Sequence, residues 1–234
     1  MNGGRKAGGF KMFREILALW SKADLLQQSF KIAGEMLEIT NEMYAEVIQS
    51  TIGHEQQRFD VHKRDKELNV MEKEIRRKVL EHLAISPSQD VVASLVLVTV
   101  VGDIERIGDY SKNVEELRQL YPEDFSSLGQ IETLKRCSQQ VASEFDLIRE
   151  AFNQADSDKA REAIVLHKQV RNETNAVIEK AFQDPAEEKK EALVSVLFAR
   201  FLKRISAHLK NIATSVVNPF DEIGYTKPPR VSDE

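Results

Sequence analysis

The sequence lacks the features that mark secreted domains and membrane-spanning proteins. It has one cysteine, Cys137, in 234 residues, which excludes an internal disulfide and fits a reducing compartment; we expect that thiol to pack on a helix rather than to react. The most apolar stretch, residues 91–101, is shorter than a membrane span and is followed by Gly102 and Asp103. Since no signal-peptide pattern occurs either, we expect a soluble, cytoplasmic protein.

Two further absences bear on function. The net charge of −5 and the pI near 5.7 leave no excess of basic residues to neutralise a nucleic-acid backbone, so we expect no nucleic-acid partner. The chain has no G-x-S-x-G element, no glycine-rich phosphate loop and no zinc-type histidine spacing. The histidines considered for such spacing are His54, His62, His82 and His167. We therefore expect a binding protein and not an enzyme.

What the sequence does have is helical periodicity along nearly its whole length, with proline only at helix starts, in loops and in the tail. An amphipathic stretch at residues 10–20 precedes six predicted helices, and we expect no sheet. The first helix opens at Ser21-Lys22-Ala23-Asp24 and ends near Gly53. The others are predicted at about 55–84, at about 87–120, from Ser127-Leu128-Gly129-Gln130, from Asp156-Ser157-Asp158, and from Asp184 to the Asn218-Pro219 break.

A repeat relates the two halves of the chain. The segment DIERIGDYSKNV, residues 103–114, recurs as FLKRISAHLKNI, residues 201–212, at an offset of 98 residues, as from Glu105 to Lys203. In the first copy Glu105 and Asp109 are one helical turn apart, so their carboxylates can share a cation. In the second copy Lys203 and Ala207 take these positions. The scaffold is repeated, but the acidic pair is not.

The helix starts extend the repeat. Ser86-Pro87-Ser88-Gln89 and Asp184-Pro185-Ala186-Glu187 both read as capping boxes with proline at the first helical position, at the same offset. This predicts an all-α fold of two tandem three-helix bundles, six antiparallel helices in all. We assign residues 1–23 to an N-terminal amphipathic extension, 24–122 and 123–217 to the two bundles, and 218–234 to a mobile C-terminal tail.

The motif LVTVVGDIERIGDYSKNVEEL resembles that of the PhoU family of phosphate-uptake regulators. In that family the preceding helix carries a carboxylate followed by Asn-x-x-Glu, and Asp65, Asn69 and Glu72 fit this pattern. The resemblance covers about residues 24–217. It is weaker in the second repeat, where Val170 is aligned with Asp65.

The resemblance implies a PhoU-like cytoplasmic adaptor between a membrane phosphate transporter and a histidine kinase. Such a protein is peripheral to the membrane through its partners. Some members of the family carry multinuclear iron or zinc clusters, and the implied ligands here are Asp65, Asn69, Glu105 and Asp109. Because Lys203 and Ala207 replace the acidic pair in the second repeat, we expect at most one metal site, in the first bundle. The simpler interpretation of Glu105 and Asp109 as a solvated face stays open.

Neighbouring residues receive structural interpretations. Asp103 and Arg106 are expected to form a local ion pair or to cap the neighbouring helix, Tyr110 to pack, and His208 to be a polar core or surface histidine.

Alternative functions are a cytoplasmic PhoU-like domain associated with a sodium–phosphate cotransporter, and a metal-free helical interaction module. A ferritin-like or hemerythrin-like di-metal bundle is disfavoured because no Glu-x-x-His pair occurs. The N-terminal stretch, with Phe10, Phe13 and Trp20, could cover the first bundle, lie on a membrane or contact a partner. Self-association is left open.

Overall fold

A computed structural model describes residues 24–53, 55–85, 90–183 and 189–226. Within these residues the chain forms six α-helices and no strand, which confirms the predicted fold class. The helices are α1 Asp24–Ile52, α2 Val61–Ile85, α3 Val91–Leu120, α4 Ile131–Gln154, α5 Ser157–Gln183 and α6 Lys189–Val217. None of these helices is long and apolar enough to cross a membrane. The predicted amphipathic stretch at residues 10–20 and the last residues, 227–234, lie outside the described residues.

The helices form two bundles that pack side by side. Helices α1, α2 and α3 contact one another, as do α4, α5 and α6, while α1 packs on α4 and α3 packs on α6. At the first of these contacts the Tyr44 hydroxyl donates to the Ser138 carbonyl at 2.8 Å, and Phe30 stacks on Phe152 with ring centroids 4.6 Å apart. Because the earlier residue of α1 meets the later residue of α4, the two helices run antiparallel.

The same antiparallel relation holds between α3 and α6. Asp103 on α3 meets Asn211 on α6 at 2.8 Å, and Tyr110, two turns further along α3, meets Arg204, two turns earlier on α6, at 3.1 Å. Both pairs of equivalent helices therefore cross antiparallel, which is the arrangement of a pseudo-two-fold axis between the bundles. A continuous apolar core runs through both of them.

Glycine allows one close approach within the first bundle. Gly108 on α3 is fully covered by α2, and a Cβ atom added there would lie 2.5 Å from Leu68 Cδ1. The equivalent residue of α6 in the 98-residue repeat is Ser206, so the second bundle has room for a hydroxyl group at this position.

The boundary of α1 agrees with the sequence, but α2 begins at Val61 and not near residue 55. The Asp60 side chain accepts hydrogen bonds from the backbone N–H groups of His62 and Lys63, at 2.9 and 3.2 Å, so it caps the helix there. Upstream, Arg58 binds Glu46 through both its backbone N–H and its side chain. These contacts hold the preceding residues in a loop.

The start of α3 also differs from the prediction. The helix begins at Val91, with Asp90 at its N-cap in the left-handed region (φ 61°) and no capping hydrogen bond from that side chain. The capping-box interpretation of residues 86–89 is therefore wrong as the start of the helix, because the first turn lies further along the chain. Residues 86–89 themselves, and the second predicted box within 184–188, lie outside the described residues.

Helix α4 begins at Ile131, with Gln130 at its N-cap, so it starts a few residues later than the predicted Ser127. Two other predicted boundaries are confirmed, because α6 ends at Val217 immediately before Asn218-Pro219 and α5 begins at Ser157. At that last start the Asp156 carboxylate accepts from the backbone N–H groups of Asp158 and Lys159.

Residues 218–226, assigned from the sequence to a mobile tail, instead dock against the end of α6. They include a 3₁₀ turn at Phe220–Glu222. Asn218 Nδ2 donates to the carbonyls of Glu222 and Tyr225, and the Gly224 N–H donates to Thr214 Oγ1. These polar contacts satisfy the carbonyls and amides of the returning chain.

Candidate functional site

The predicted ligands of the first bundle come together in the groove between α2 and α3. Glu105 lies near three other carboxylates: burial raises its pKa, and the charges of Asp109, Glu72 and Asp65 raise it further, while Arg106 lowers it. Two carboxylates thus come from α2 and two from α3. Asp65 and Glu72 lie two turns apart on α2, and Glu105 and Asp109 lie one turn apart on α3. We define these four residues as the acidic cluster.

Lys112, one turn beyond Asp109, balances much of this charge. Its ammonium group lies 3.0 Å from Asp65 Oδ2 and 3.2 Å from Asp109 Oδ1, so it bridges α2 and α3. Burial alone would lower the pKa of Lys112, but the hydrogen bonds that it donates to the two carboxylates raise it overall. An internal cation therefore already occupies the space between these two predicted ligands.

The remaining members of the cluster are also paired. Arg106 lies 3.7 Å from Glu105 and 3.2 Å from Asp109 on its own helix, so these two carboxylates, and not Asp103, are its ion-pair partners. Buried Glu72 pairs with Arg76 at 2.8 Å. The cluster is a network of ion pairs within the first bundle.

The fit of a metal ion to this arrangement is mixed. Asp65 Oδ1 is buried without a hydrogen-bond partner, as an unused ligand atom would be. However, Asn69 uses its amide nitrogen to donate to the Asp65 backbone carbonyl at 2.9 Å. The described part of the chain also contains no group of three or more His, Cys, Asp or Glu side chains positioned to hold a metal ion. With Lys112 in place the side chains do not form a preformed metal cage, and metal binding stays a prediction.

The second bundle places different chemistry in the equivalent groove. Burial along α2 and α5 matches at a 102-residue offset, as from Asp65 to His167. The matched buried residues are Val61 with Ala163, Asp65 with His167, Leu68 with Val170, Glu72 with Thr174, and Ile75 with Val177. The alignment of Val170 with Asp65 is therefore wrong by one helical turn.

Contacts between the helices support the corrected register. Asp65 binds Lys112 in the first bundle, and in the second the charge that most lowers the pKa of His167, after burial, is that of Lys210, the equivalent of Lys112. The Asn69 position becomes Arg171. Lys203, in place of Glu105, donates to Asn175 Oδ1 at 2.7 Å. The groove that is acidic in the first bundle is lined by basic side chains in the second.

A polar seam joins the bundles between α3 and α6. Asp103 Oδ1 lies 2.7 Å from His208 Nδ1 and 2.8 Å from Asn211 Nδ2. Arg204 donates from Nε to the Tyr110 hydroxyl at 3.1 Å, with its guanidinium 5.4 Å from the ring centroid. Asp103 thus contacts the neighbouring helix, and Tyr110 and His208 have the packing and polar roles that the sequence favoured.

Sequence reasoning missed a buried polar chain in the second bundle. Ser206 Oγ donates to Glu144 Oε1 at 2.7 Å and lies 2.8 Å from His167 Nδ1. Burial raises the pKa of Glu144 well above its ordinary value, which favours the protonated carboxyl. In a hydrolase triad the histidine lies between the serine and the acid. Here the serine lies between the histidine and the acid, and it is fully buried. No local motif signals this network, because each residue comes from a different helix.

Cys137 is buried on α4, as expected. Burial, together with the nearby Glu173, raises its pKa to about 12. The thiolate is therefore scarce at neutral pH, which fits packing rather than reactivity.

This architecture is similar to that of known proteins. The family model of the PhoU domain matches twice, at residues 33–117 and 134–216, which together make up most of the chain. The crystal structure of PhoU from Pseudomonas aeruginosa superposes with a TM-score of 0.72 at 24% identity, covering 83% of this chain and 96% of that one. The crystal structure of the phosphate transport system regulatory protein PhoU from Streptococcus pneumoniae gives 0.67 at 17% identity, covering 83% and 92%. No curated protein sequence matches the chain. With two copies of the domain and this shared fold, the chain belongs to the PhoU domain family.

Proposed function

We propose that this protein regulates phosphate transport from the cytoplasmic side of the membrane, by binding other proteins rather than by catalysis. The observation that carries the proposal is the PhoU domain present twice. The similar fold of a protein described as a phosphate transport system regulatory protein gives further support. The partners would be a membrane phosphate transporter, a histidine kinase, or both.

The chemistry of the described residues supports binding over catalysis. The serine closest to both a histidine and a carboxyl, Ser206, is fully buried and stands in the middle of its hydrogen-bonded chain. The thiol of Cys137 has a raised pKa. Neither group can act as an activated nucleophile on a substrate in solution.

Partner binding can be tested through the predicted N-terminal contacts. We expect the tagged full chain to retain a phosphate transporter or histidine kinase from membranes of its own cell, and Phe10→Ala/Phe13→Ala/Trp20→Ala to lose that partner. The matched control removes three exposed apolar side chains elsewhere, as Leu80→Ala/Leu120→Ala/Phe182→Ala. Equal retention by both triple variants would reject the N-terminal stretch as the contact.

The regulatory role itself is tested in cells. Deleting the gene should derepress phosphate-starvation genes or change phosphate uptake, and the wild-type gene should restore both. If deletion changes neither, and the full chain retains no component of a phosphate system, the proposed function is wrong.

The proposal does not depend on a metal. If iron or zinc binds, Asp65, Glu105 and Asp109 would hold it with Asn69 as a neutral donor, and Lys112 would have to leave its present position. A metal in this groove would supply positive charge that links α2 to α3. Metal analysis of protein purified without chelator or a nickel column tests this prediction, and unchanged metal content in Glu105→Ala/Asp109→Ala would reject the site. The bridge made by Lys112 favours the metal-free interaction module among the alternatives.

A further inference from the structure

The second bundle carries an unusual concentration of positive charge between α5 and α6. We define this basic cluster as Arg171, Arg200, Lys203, Arg204 and Lys210, arranged around buried His167. Burial and then the charges of Arg200, Arg171 and Arg204 lower the pKa of Lys203. Burial, Lys210, Arg171 and Lys203 likewise lower the pKa of His167, to about 4. Lys203 reaches across to α5, because its Nζ donates to Asn175 Oδ1 at 2.7 Å, and Arg171 on α5 takes the position of Asn69 in the acidic groove. Arg204 lies at the edge of the cluster, where it contacts Tyr110 on α3.

No acidic side chain balances these charges. Among the described residues, none of the five cations lies within 4.0 Å of a carboxylate. Lys203 and Lys210 donate instead to neutral oxygens, Asn175 Oδ1 and the Gly224 carbonyl, and Arg204 donates to the Tyr110 hydroxyl.

The two carboxyl groups near the cluster are already engaged. Asp103, which faces Lys210, accepts from Asn211 and binds His208. Glu144 is fully buried, accepts a hydrogen bond from Ser206 and has a pKa raised by burial. The cluster therefore keeps most of its charge, unlike the first bundle, where Lys112 and Arg106 offset the carboxylates.

We propose that this groove of the second bundle binds a small oxyanion, with inorganic phosphate as the representative ligand. Lys203 and Lys210 are half-buried, whereas Arg171 and Arg200 are exposed. Ammonium and guanidinium groups make charge-assisted hydrogen bonds to oxyanions, and guanidinium groups do so in pairs. A ligand that contacts a half-buried lysine as well as an exposed arginine suits a small anion better than a flat acidic protein surface. The inference rests on the charges of this bundle and stands apart from the regulatory role.

Calorimetric titration of the full chain with inorganic phosphate, in a phosphate-free buffer of low ionic strength, tests the proposal. We expect saturable binding of one phosphate per chain, and at least a tenfold loss of affinity in Arg171→Gln/Lys203→Gln. The control Lys66→Gln/Lys73→Gln removes the same charge from exposed positions on α2 and should change affinity less than twofold. Circular dichroism melts of both variants establish that they fold.

A second arm separates free phosphate from a lipid headgroup. The wild type and Arg171→Gln/Lys203→Gln are each co-sedimented with phosphatidylglycerol vesicles and with phosphatidylcholine vesicles. We expect the double variant to bind the anionic vesicles no less than the wild type does. Vesicle binding without phosphate binding would overturn the small-oxyanion proposal. So would the absence of phosphate binding, or an equal loss of affinity in both double variants, since the latter would reflect net charge alone.

Discussion

The two bundles share a backbone arrangement and carry opposite charge in the same groove. Where the first has Asp65 and Glu105, with Lys112 between the helices, the second has His167 and Lys203. The apolar residues that set the helix packing are kept in register along α2 and α5. The comparison teaches that packing is fixed by the buried stripe of each helix, so the polar positions beside that stripe are free to change sign.

Removing the internal cation of the first bundle should have the largest effect. Lys112→Met leaves Asp65 buried beside Asp109 without its ammonium partner, and we expect a loss of about 3 kcal/mol in the free energy of unfolding. Lys210→Met, at the equivalent position, gives up only a hydrogen bond to a carbonyl and should cost about 1 kcal/mol. Urea denaturation measures both. Equal losses of unfolding free energy would mean that the two lysines stabilise their bundles equally, which would contradict the difference inferred between the bundles.

The seam between the bundles should come next. Asp103→Ala leaves His208 and Asn211 without their shared acceptor, and we expect it to cost about 2 kcal/mol. The exposed acid Asp146, paired with Arg149 at 3.5 Å, provides the control, because its change to alanine should cost less than about 0.5 kcal/mol. Thermal melts of both variants measure these losses. Similar melting temperatures would show that the seam contributes little to stability.

The buried polar chain of the second bundle should make stability depend on pH in a way the first bundle does not share. Folded Glu144 keeps its proton above the ordinary carboxyl value of 4.5, whereas the unfolded chain releases it. Its contribution is therefore present at low pH and lost as pH rises. From pH 4.5 to pH 8 the difference in unfolding free energy between Glu144→Gln and wild type should shift by about 1 kcal/mol or more in the variant's favour.

His167 acts in the opposite direction. Its pKa falls from 6.5 to about 4 on folding, so the unfolded chain takes up a proton first, and stability decreases as pH falls from 6.5 to 4. Urea midpoints at pH 4.5, 6.5 and 8 measure both contributions, with exposed Glu116→Gln as the control. A difference between Glu144→Gln and wild type that is the same at every pH would show that Glu144 titrates normally.

The smallest change in stability is expected from restoring the acidic pair. Lys203→Glu/Ala207→Asp relieves repulsion among the cations and should raise the unfolding free energy by about 0.5 kcal/mol, because these positions are partly exposed. The same variant should abolish phosphate binding, whereas Lys66→Glu should leave it intact. If the double variant still binds phosphate, the oxyanion site lies outside this groove.

The sequence predicted the fold and the α3–α6 repeat because the motifs align there without a gap. The alignment of α5 with its equivalent α2 could not be obtained in the same way. A shift of three residues moves a residue by about one turn and keeps it on nearly the same helix face, so periodicity alone does not separate Val170 from His167 as the partner of Asp65.

Contacts between distant residues were likewise hidden. Lys112 lies one turn beyond Asp109, yet nothing local shows that its ammonium group would reach Asp65 on the preceding helix. The start of α2 was misplaced because the bonds from Arg58 to Glu46 that hold the loop depend on a neighbouring helix. Such pairings are fixed by the packing of the bundle, which propensity and spacing do not encode.

The antiparallel crossing of α3 with α6, and of α1 with α4, has an evolutionary consequence. A pseudo-two-fold arrangement of this kind is what a symmetric homodimer of one three-helix unit would have. In such a homodimer every substitution appears at both sites, so a residue suited to one charge would be imposed on the other. Joining the two units in one chain removes that constraint. One groove could then keep its carboxylates while its twin, with His167 and Lys203, took the opposite sign.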